Sequence, residues 1–212
     1  MMNISSIRKE YTLKSLDIEE VSPSPITQFR EWFGESLTSE VLEVNAMSLS
    51  TMGLDGFPNG RIVLLKELDH GFVFFTNYQS EKGRELEAMG KGALTFFWPE
   101  LERQIRIKGV IEKVSAEESD AYFFSRPYTS QVGAWTSPQS QLIQSREELD
   151  MRQTEIEGKF NSETIVRPEH WGGYRLLPFR IEFWQGRESR LHDRILYQKT
   201  EDNSWGISRL AP

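Results

Sequence analysis

Apolar residues recur along this chain with two different periods. At Ile26, Phe29, Trp32, Phe33 and Leu37 they fall on one face of a helix, with Ser24 placed as its N-cap and Pro25 as its first residue. From Val44 the period changes. Met47 to Thr51, Arg61 to Lys66, Phe72 to Thr76, a segment from Lys91-Gly92 through Trp98, and Gln104 to Val114 read as strands. Gly53 to Gly60 is dense in turn formers and predicts a hairpin loop, and Asp69 to Gly71 a turn. On the strand from Gln104, alternation puts Gln104, Arg106 and Lys108 on one side and Ile105 and Ile107 on the other. Ser80 caps a short helix to about Met89. Ser115-Ala-Glu-Glu118 and Ser145-Arg-Glu-Glu148 are capping boxes. The first opens a helix that carries Tyr122 and Phe123 up to Ser125-Arg-Pro127, and the second a charged helix to about Phe160. Between them, Tyr128 to Gln144 is polar and reads as a surface or ligand loop. Arg180 to Gly186, Arg190 to Gln198 and Trp205 to Leu210 complete the strands.

These elements predict a mostly β protein with peripheral helices, an antiparallel barrel without the strand–helix alternation of a doubly wound sheet. Residues 1–22 lack periodicity and read as a flexible N-terminal arm. Residues 23–212 form a single domain. No N-terminal stretch has the apolar core of a signal peptide, and no run approaches the ~20 apolar residues of a membrane span. The simplest placement is cytoplasmic.

Charge narrows the function. With 32 acidic and 25 basic residues the formal charge is −7, which disfavours non-specific nucleic-acid binding. An anionic ligand then needs a local cluster of cations. Cysteine is absent, so disulfides, thiolate metal sites and cysteine nucleophiles are excluded together. The three histidines, His70, His170 and His192, lie far apart in sequence, which argues against a histidine metal cluster. No Gly-rich nucleotide loop, nucleophile elbow or zinc-protease helix is present.

What remains is a set of cations at strand ends and helix starts: Arg61, Lys66, Lys82, Arg126, Arg190 and Arg194. Each alone reads as an ordinary surface charge. Arg61 and Lys66 bound an apolar run that looks buried, where cations are often placed to meet phosphate. Lys82 sits in a first helical turn, whose free N–H groups also favour an anion. Tyr122, Arg126 and Ser130 offer two hydroxyls and a guanidinium to a second phosphate. Trp184, Gln104, Gln139 and Ser140 are suited to stacking on a ring or bonding its edge, although Trp184 taken alone reads as core. On a strand, Arg190, His192 and Arg194 point the same way, spread over roughly 13 Å. Without matching carboxylates on that face, two cations flanking an imidazole point to a ligand.

Glu182-Phe-Trp-Gln followed by Arg190-Leu-His-Asp-Arg194 resembles the signature of the pyridoxine/pyridoxamine 5′-phosphate oxidases. Arg61-Ile-Val-Leu-Leu-Lys66, Leu101-Glu-Arg-Gln104, Ser125-Arg-Pro127, Ser130-Gln-Val-Gly-Ala-Trp135, Trp171-Gly-Gly173 and Arg209-Leu-Ala-Pro212 resemble further blocks of that family, in its order. The resemblance covers essentially the whole chain. It implies an FMN-binding split β-barrel acting as a homodimer, with FMN in a cleft between subunits and the C-terminal strands serving dimerisation and substrate. The implied reaction oxidises pyridoxine or pyridoxamine 5′-phosphate to pyridoxal 5′-phosphate; FMN takes the hydride, O₂ is reduced to H₂O₂, and the amine also releases ammonia.

By resemblance, FMN is held by Arg61, Ile62, Val63, Leu64, Leu65, Lys66, Phe75, Thr76, Lys82, Gln104, Gln139, Ser140, Trp184 and Arg194. Lys66, Tyr122, Arg126 and Ser130 hold the substrate phosphate, Arg190 and His192 act at the substrate ring, and Arg8 and Tyr11 close over the site. Ser80-Glu81-Lys82 departs from the family's common Ser-Arg-Lys, placing an acid where a cation near the FMN phosphate is expected; Phe75 stands where a tyrosine is also familiar. The clamp Lys66, Tyr122, Arg126 and Ser130 weighs against a split-barrel flavin reductase or another FMN oxidase. Arg190 and His192 weigh against a protein that merely stores flavin or pyridoxal phosphate. Hydride transfer to a flavin needs alignment more than a strong acid or base, consistent with the lack of an activated nucleophile.

Overall fold

The computed structural model describes residues 3–6, 10–160 and 165–212, so Arg8 lies outside the described residues. Among the described residues nine strands make one curled sheet: β1 (Ala46–Met52), β2 (Pro58–Leu64), β3 (Glu67–Leu68), β4 (Phe72–Asn77), β5 (Lys91–Trp98), β6 (Arg103–Lys113), β7 (Trp171–Gln185), β8 (Asp193–Lys199) and β9 (Trp205–Arg209). The main path runs β2-β1-β5-β6-β7-β4-β3, every pair antiparallel, with β8 and β9 added beside β7.

Strand β7 is the hub. Its residues Trp171 to Leu176 pair with β4 and Arg180 to Gln185 pair with β8, while β6 runs along the other edge. Between the two halves the register shifts opposite Lys108/Gly109, leaving Phe179 unpaired beside Pro178. A bulge at a proline bends a strand and lets one edge serve two partners. The result is a split barrel with peripheral helices.

Alternation fills the interior. Leu49, Phe72, Phe74, Phe96, Ile105, Ile107, Leu176, Ile181 and Phe183 are all 0% exposed. Helix α1 (Pro25–Leu37) starts as predicted, with the Ser24 hydroxyl accepting the Thr27 N–H and Pro25 leading. It lays Phe29 and Trp32 over the core, Phe29 standing 5.0 Å from both Phe72 and Phe96. Each buried aromatic is worth about 1.5–3 kcal/mol, and a helix this short is marginal alone, so packing holds it. A second cluster joins α3 (Ala116–Ser125) and α4 (Tyr128–Thr136) to β7 through Phe123, Val132, Ala134, Ile165 and Trp171. Helix α2 (Glu81–Met89) follows β4. Helix α5 (Arg146–Phe160) buries no residue among those described, in keeping with its charged sequence.

From Glu10 onward the N-terminal segment lies against the barrel. Leu13 N–H donates to the Glu102 carboxylate and Leu16 N–H to that of Asp193, each at 3.1 Å, and Leu16 itself is buried. Among the described residues no helix is long and apolar enough to cross a membrane.

Four expectations are corrected. The strand expected from Arg180 begins at Trp171; Gly172 and Gly173 look like breakers but are there because Tyr78 and Phe75 occupy the space a Cβ would take. Tyr128 to Gln144 is not all loop, since tertiary contacts of Val132 and Ala134 hold α4 despite its polar sequence and Gly133. The apolar run after Arg61 is not a buried strand: Ile62 is 66% and Leu64 37% exposed, because they share the face of β2 that the described residues leave uncovered. The strand expected from Arg190 starts at Asp193, because residues 188–190 fold into a separate 3₁₀ turn. The first capping box is complete. In the second, Ser145 accepts the Glu148 N–H, but the Glu148 carboxylate takes the N–H of Gln144.

Candidate active site

A cavity of about 600 Å³ opens where β2, β4 and the α3–α4 corner meet. Strand β2 contributes Ile62, Val63 and Leu64, followed by Lys66; β4 contributes Phe75, Thr76 and Asn77. Lys82 enters from the first turn of α2, whose N-cap Ser80 accepts the Gly83 N–H. Tyr122 and Arg126 come from the end of α3, and Ser130 from the first turn of α4. Pro127 stops α3 and starts α4, which has no side-chain cap; Ser130 and Gln131 N–H donate to the Pro127 carbonyl, which leaves the N–H groups of Tyr128 and Thr129 as donors suited to an anion at that corner.

The wall is aromatic. Phe75 stacks on Tyr122 at 4.0 Å and on Trp171 at 5.5 Å. Gly173, with a backbone too close to Phe75 to carry a Cβ, lets that ring lie flat against β7. The Arg126 guanidinium rests over Trp171 at 4.5 Å, and Lys66 lies 5.9 Å from the Tyr122 ring.

Lys66, Lys82 and Arg126 line the cavity, and no carboxylate does among the described residues lining it. Lys82 Nζ has only neutral oxygen partners nearby, Thr76, Ser80 and Gln139, at 3.2–3.4 Å. Burial, and then the charge of Arg61, hold its ammonium below the ordinary value. Arg126 Nη1 is buried with no hydrogen-bond partner among the described residues, and burial likewise lowers its pKa. An orphaned guanidinium N–H in a cation-lined hole suits a phosphate, which takes such a fork bidentately.

The remaining predicted residues are placed differently. Leu65 is a core residue, and its N–H bonds Asn45. Arg61 is turned to Glu85 at 3.0 Å, and Ser140, at φ 66°, is exposed outside the lining. Gln104, Trp184 and Arg194 do not line the cavity; they are register partners in one row across β6, β7 and β8. Trp184 is thirteen residues along β7 from the cavity's Trp171, a path of roughly 40 Å at strand rise. Arg194 was expected to lack a carboxylate on its face, but Glu182, 5% exposed, bonds it at 2.9 Å.

His192 packs on Trp184 at 4.6 Å, and Tyr11 meets both rings edge-on. Arg190 does not share a strand face with them. It lies in a 3₁₀ turn, Glu188–Arg190, with Ser189 and Arg190 both left-handed at φ 56° and 63°. His192 Nδ1 accepts the Arg187 N–H at 3.1 Å and closes this loop. That bond requires a bare Nδ1, so the neutral imidazole carries its proton on Nε2. Burial, and then Arg190, depress the His192 pKa. Sequence reasoning missed Trp171, Asn77 and Ser137 in the lining. Trp171-Gly-Gly was the only signal for them, a large ring beside two residues without side chains.

Fold and cavity together define a split-barrel protein suited to a phosphorylated ring compound. The chain matches the family described as Pyridoxamine 5′-phosphate oxidase over residues 33–160, and Pyridoxine 5′-phosphate oxidase C-terminal dimerisation region over residues 171–212. It is 54% identical to the pyridoxine/pyridoxamine 5′-phosphate oxidase of Nostoc sp. over 210 residues, 99% of this chain and 98% of that protein. To the enzyme of the same name from Ralstonia pickettii it is 56% identical over the full length of both. Among solved structures it is similar to PhzG from Burkholderia lata 383 in complex with tetrahydrophenazine-1-carboxylic acid, at TM-score 0.88 and 29% identity, covering 95% of this chain and 100% of that one. A pyridoxamine 5′-phosphate oxidase-related, FMN binding protein from Nostoc punctiforme shares the fold at TM-score 0.71 and 15% identity, over 91% of this chain and 100% of that one. The chain belongs to the pyridoxine/pyridoxamine 5′-phosphate oxidase family.

Proposed function

We propose that two copies of this chain complete each active site, the cavity of one closing on the Gln104–Trp184–Arg194 row of the other. The activity is that of the family, oxidation of pyridoxine or pyridoxamine 5′-phosphate to pyridoxal 5′-phosphate. In balance, the alcohol and O₂ give the aldehyde and H₂O₂; the amine, O₂ and water give the aldehyde, ammonia and H₂O₂. The cofactor is FMN, which when bound supplies a two-electron acceptor that O₂ can reoxidise.

The donor set fits it. A phosphate finds Lys82 and the first turn of α2, Thr76 and Gln139 supply neutral partners, and β2 offers backbone groups and the exposed Ile62 face to a flat ring. At the other end Lys66, Tyr122, Arg126 and Ser130 hold the substrate's phosphate. Arg190 and His192 sit at the substrate ring, with Nε2–H of His192 as a donor. Tyr11, packed on Trp184 and His192, closes the entrance and excludes water.

The observation that carries this reading is Arg126, whose buried Nη1 has no hydrogen-bond partner among the described residues, in a cavity whose described lining holds three cations and no acid. Sharing between copies is supported by the division of the FMN residues into two sets along β7, and by the exposed apolar side chains Ile62, Leu64 and Phe97. Phe97 is the register partner of Gln104 and extends the row.

Oxygen uptake tests the activity: either phosphorylated vitamer should consume O₂ and yield pyridoxal phosphate absorbance, and pyridoxine without phosphate should be a poor substrate. Folded, flavin-loaded protein that leaves both phosphorylated vitamers unchanged overturns the assignment. Co-expression tests sharing. Arg126→Gln and Trp184→Ala, each inactive alone, should together recover roughly a quarter of wild-type activity, because half the dimers are mixed and each has one intact site. No recovery from mixed dimers overturns the shared site.

A further inference from the structure

Behind the cavity lies a buried carboxylate that the reaction does not use. Glu85, on α2 one turn beyond Lys82, has a side chain only 2% exposed. It accepts from Thr51 Oγ1 on β1 at 2.5 Å, from Asn59 Nδ2 on β2 at 2.5 Å, and from Arg61 Nη2 on β2 at 3.0 Å. Arg61 Nη1 closes the ring by bonding the same Thr51 hydroxyl. Burial alone raises the Glu85 pKa, but the hydrogen bonds from Thr51 and Asn59 and the charge of Arg61 outweigh it and hold the group ionised.

Arg61 is the outer member of this cluster, at 19% exposure; its bond to Glu85, three residues after Lys82 and on the same face of α2, brings it to the Lys82 side of the cavity, where its charge depresses the Lys82 pKa. Two cations so placed repel each other. Among the described residues no carboxylate hydrogen-bonds Lys82, and Glu85, bonded to Arg61 at 3.0 Å, is the group that keeps Arg61 there before any ligand arrives. We propose that Glu85 is a positioning residue for the flavin's phosphate: it holds the Arg61 guanidinium ready beside Lys82, so that both cations meet the phosphate together. The proposal rests on the FMN reading above.

The physical reason is entropy and charge placement. A free arginine carries large rotamer entropy that must be surrendered when it binds; one already held by Glu85 and Thr51 surrenders little. Nη1 of Arg61 is taken up by Thr51 and the Leu49 carbonyl, but Arg61 still has donors to offer in Nε–H and the second hydrogen of Nη2. Glu85, buried behind it with both oxygens occupied, meets the phosphate only through Arg61.

The test compares two flavins that differ only in phosphate. FMN and riboflavin are titrated separately, by fluorescence quenching, into flavin-stripped wild type and Glu85→Gln. In the variant, FMN affinity should fall about tenfold, the cost of immobilising one long side chain, with riboflavin affinity unchanged. Equal loss of both flavins would mean that Glu85 only maintains the fold, and unchanged or tighter FMN binding would mean that it opposes the phosphate; either result overturns the proposal. If Glu85→Gln does not fold, Thr51→Val takes its place, removing the hydroxyl shared by Glu85 and Arg61. A selective loss of FMN affinity in that variant supports the proposal, and equal loss of both flavins or no loss of FMN overturns it. Failure of the FMN reading itself is separate: wild type would then bind FMN no better than riboflavin.

Discussion

Replacing Arg126 with methionine separates substrate binding from folding. In the ligand-free protein its Nη1 is buried and unpartnered, and an unsatisfied buried group costs about 1–3 kcal/mol. Its stacking over Trp171 at 4.5 Å returns about 0.5–2 kcal/mol, and methionine keeps part of that through sulfur–aromatic contact. These nearly cancel. Stability without ligand should therefore hold or rise by up to ~1 kcal/mol, which is roughly 2–4 °C in Tm for a chain of this size. Substrate binding should behave oppositely. Two charge-assisted hydrogen bonds to a phosphate are worth about 3–6 kcal/mol, and Lys66, Tyr122 and Ser130 remain to retain some of it, so kcat/KM should drop ~10²- to 10³-fold. The assays are steady-state oxygen uptake and thermal melting of flavin-free protein, with Arg126→Lys as the control that keeps charge but loses the fork. A Tm fall of several degrees with equal loss of FMN and substrate affinity would refute the reasoning and make Arg126 a structural residue.

Three further outcomes are expected. His192 has a folded pKa depressed below the ordinary 6.5, so its contribution is present above that value and lost as pH falls through the lower folded value. kcat/KM should accordingly be flat above about pH 6.5 and decline below it, with the Arg187 amide losing exchange protection over the same range; an amide unaffected there rules out the loop closure. In Gly173→Ala, the new Cβ would lie 2.5 Å from Val114 and 2.8 Å from Phe75, pushing Phe75 into Tyr122. Urea denaturation should show a loss of about 1–3 kcal/mol, and flavin should be released faster. Arg175, 7% exposed, bonds Asp69, Glu112 and Glu118; Arg175→Met should cost ~2 kcal/mol, less than the roughly 3–5 kcal/mol of a fully buried pair because its carboxylates are partly hydrated. Asp69 and Glu118 titrate below their ordinary values when paired, so this deficit should be full at neutral pH and shrink in acid; a deficit independent of pH would assign the loss to packing.

Which features were legible before folding follows from the distance over which each is determined. The Ser24-Pro25 start of α1 and the Ser115 capping box depend on residues within four positions, so the local sequence suffices. The alternation of β6 between Ile105 or Ile107 and Arg106 or Lys108 depends only on a period of two, and it emerged intact. Chain order also carried the family motifs and, through them, the oxidase activity and its flavin. Long-range features were decided elsewhere. The strand expected from Arg180 instead begins at Trp171 and runs through Gly172, Gly173 and Pro178, because β4, β6 and the rings of Phe75 and Tyr78 determine its course. Arg190, His192 and Arg194 kept their chemistry but not their shared face, since a hydrogen bond from Arg187 to His192 folds the loop. Nor does sequence indicate that Arg61 meets Glu85, or that Arg126 Nη1 is left without a hydrogen-bond partner among the described residues. By itself, then, the sequence determined the kinds of group available and the periods of the elements that carry them. Tertiary structure alone decided which cations are neutralised and which stay open to a phosphate, because burial and pairing depend on contacts between residues far apart in the chain.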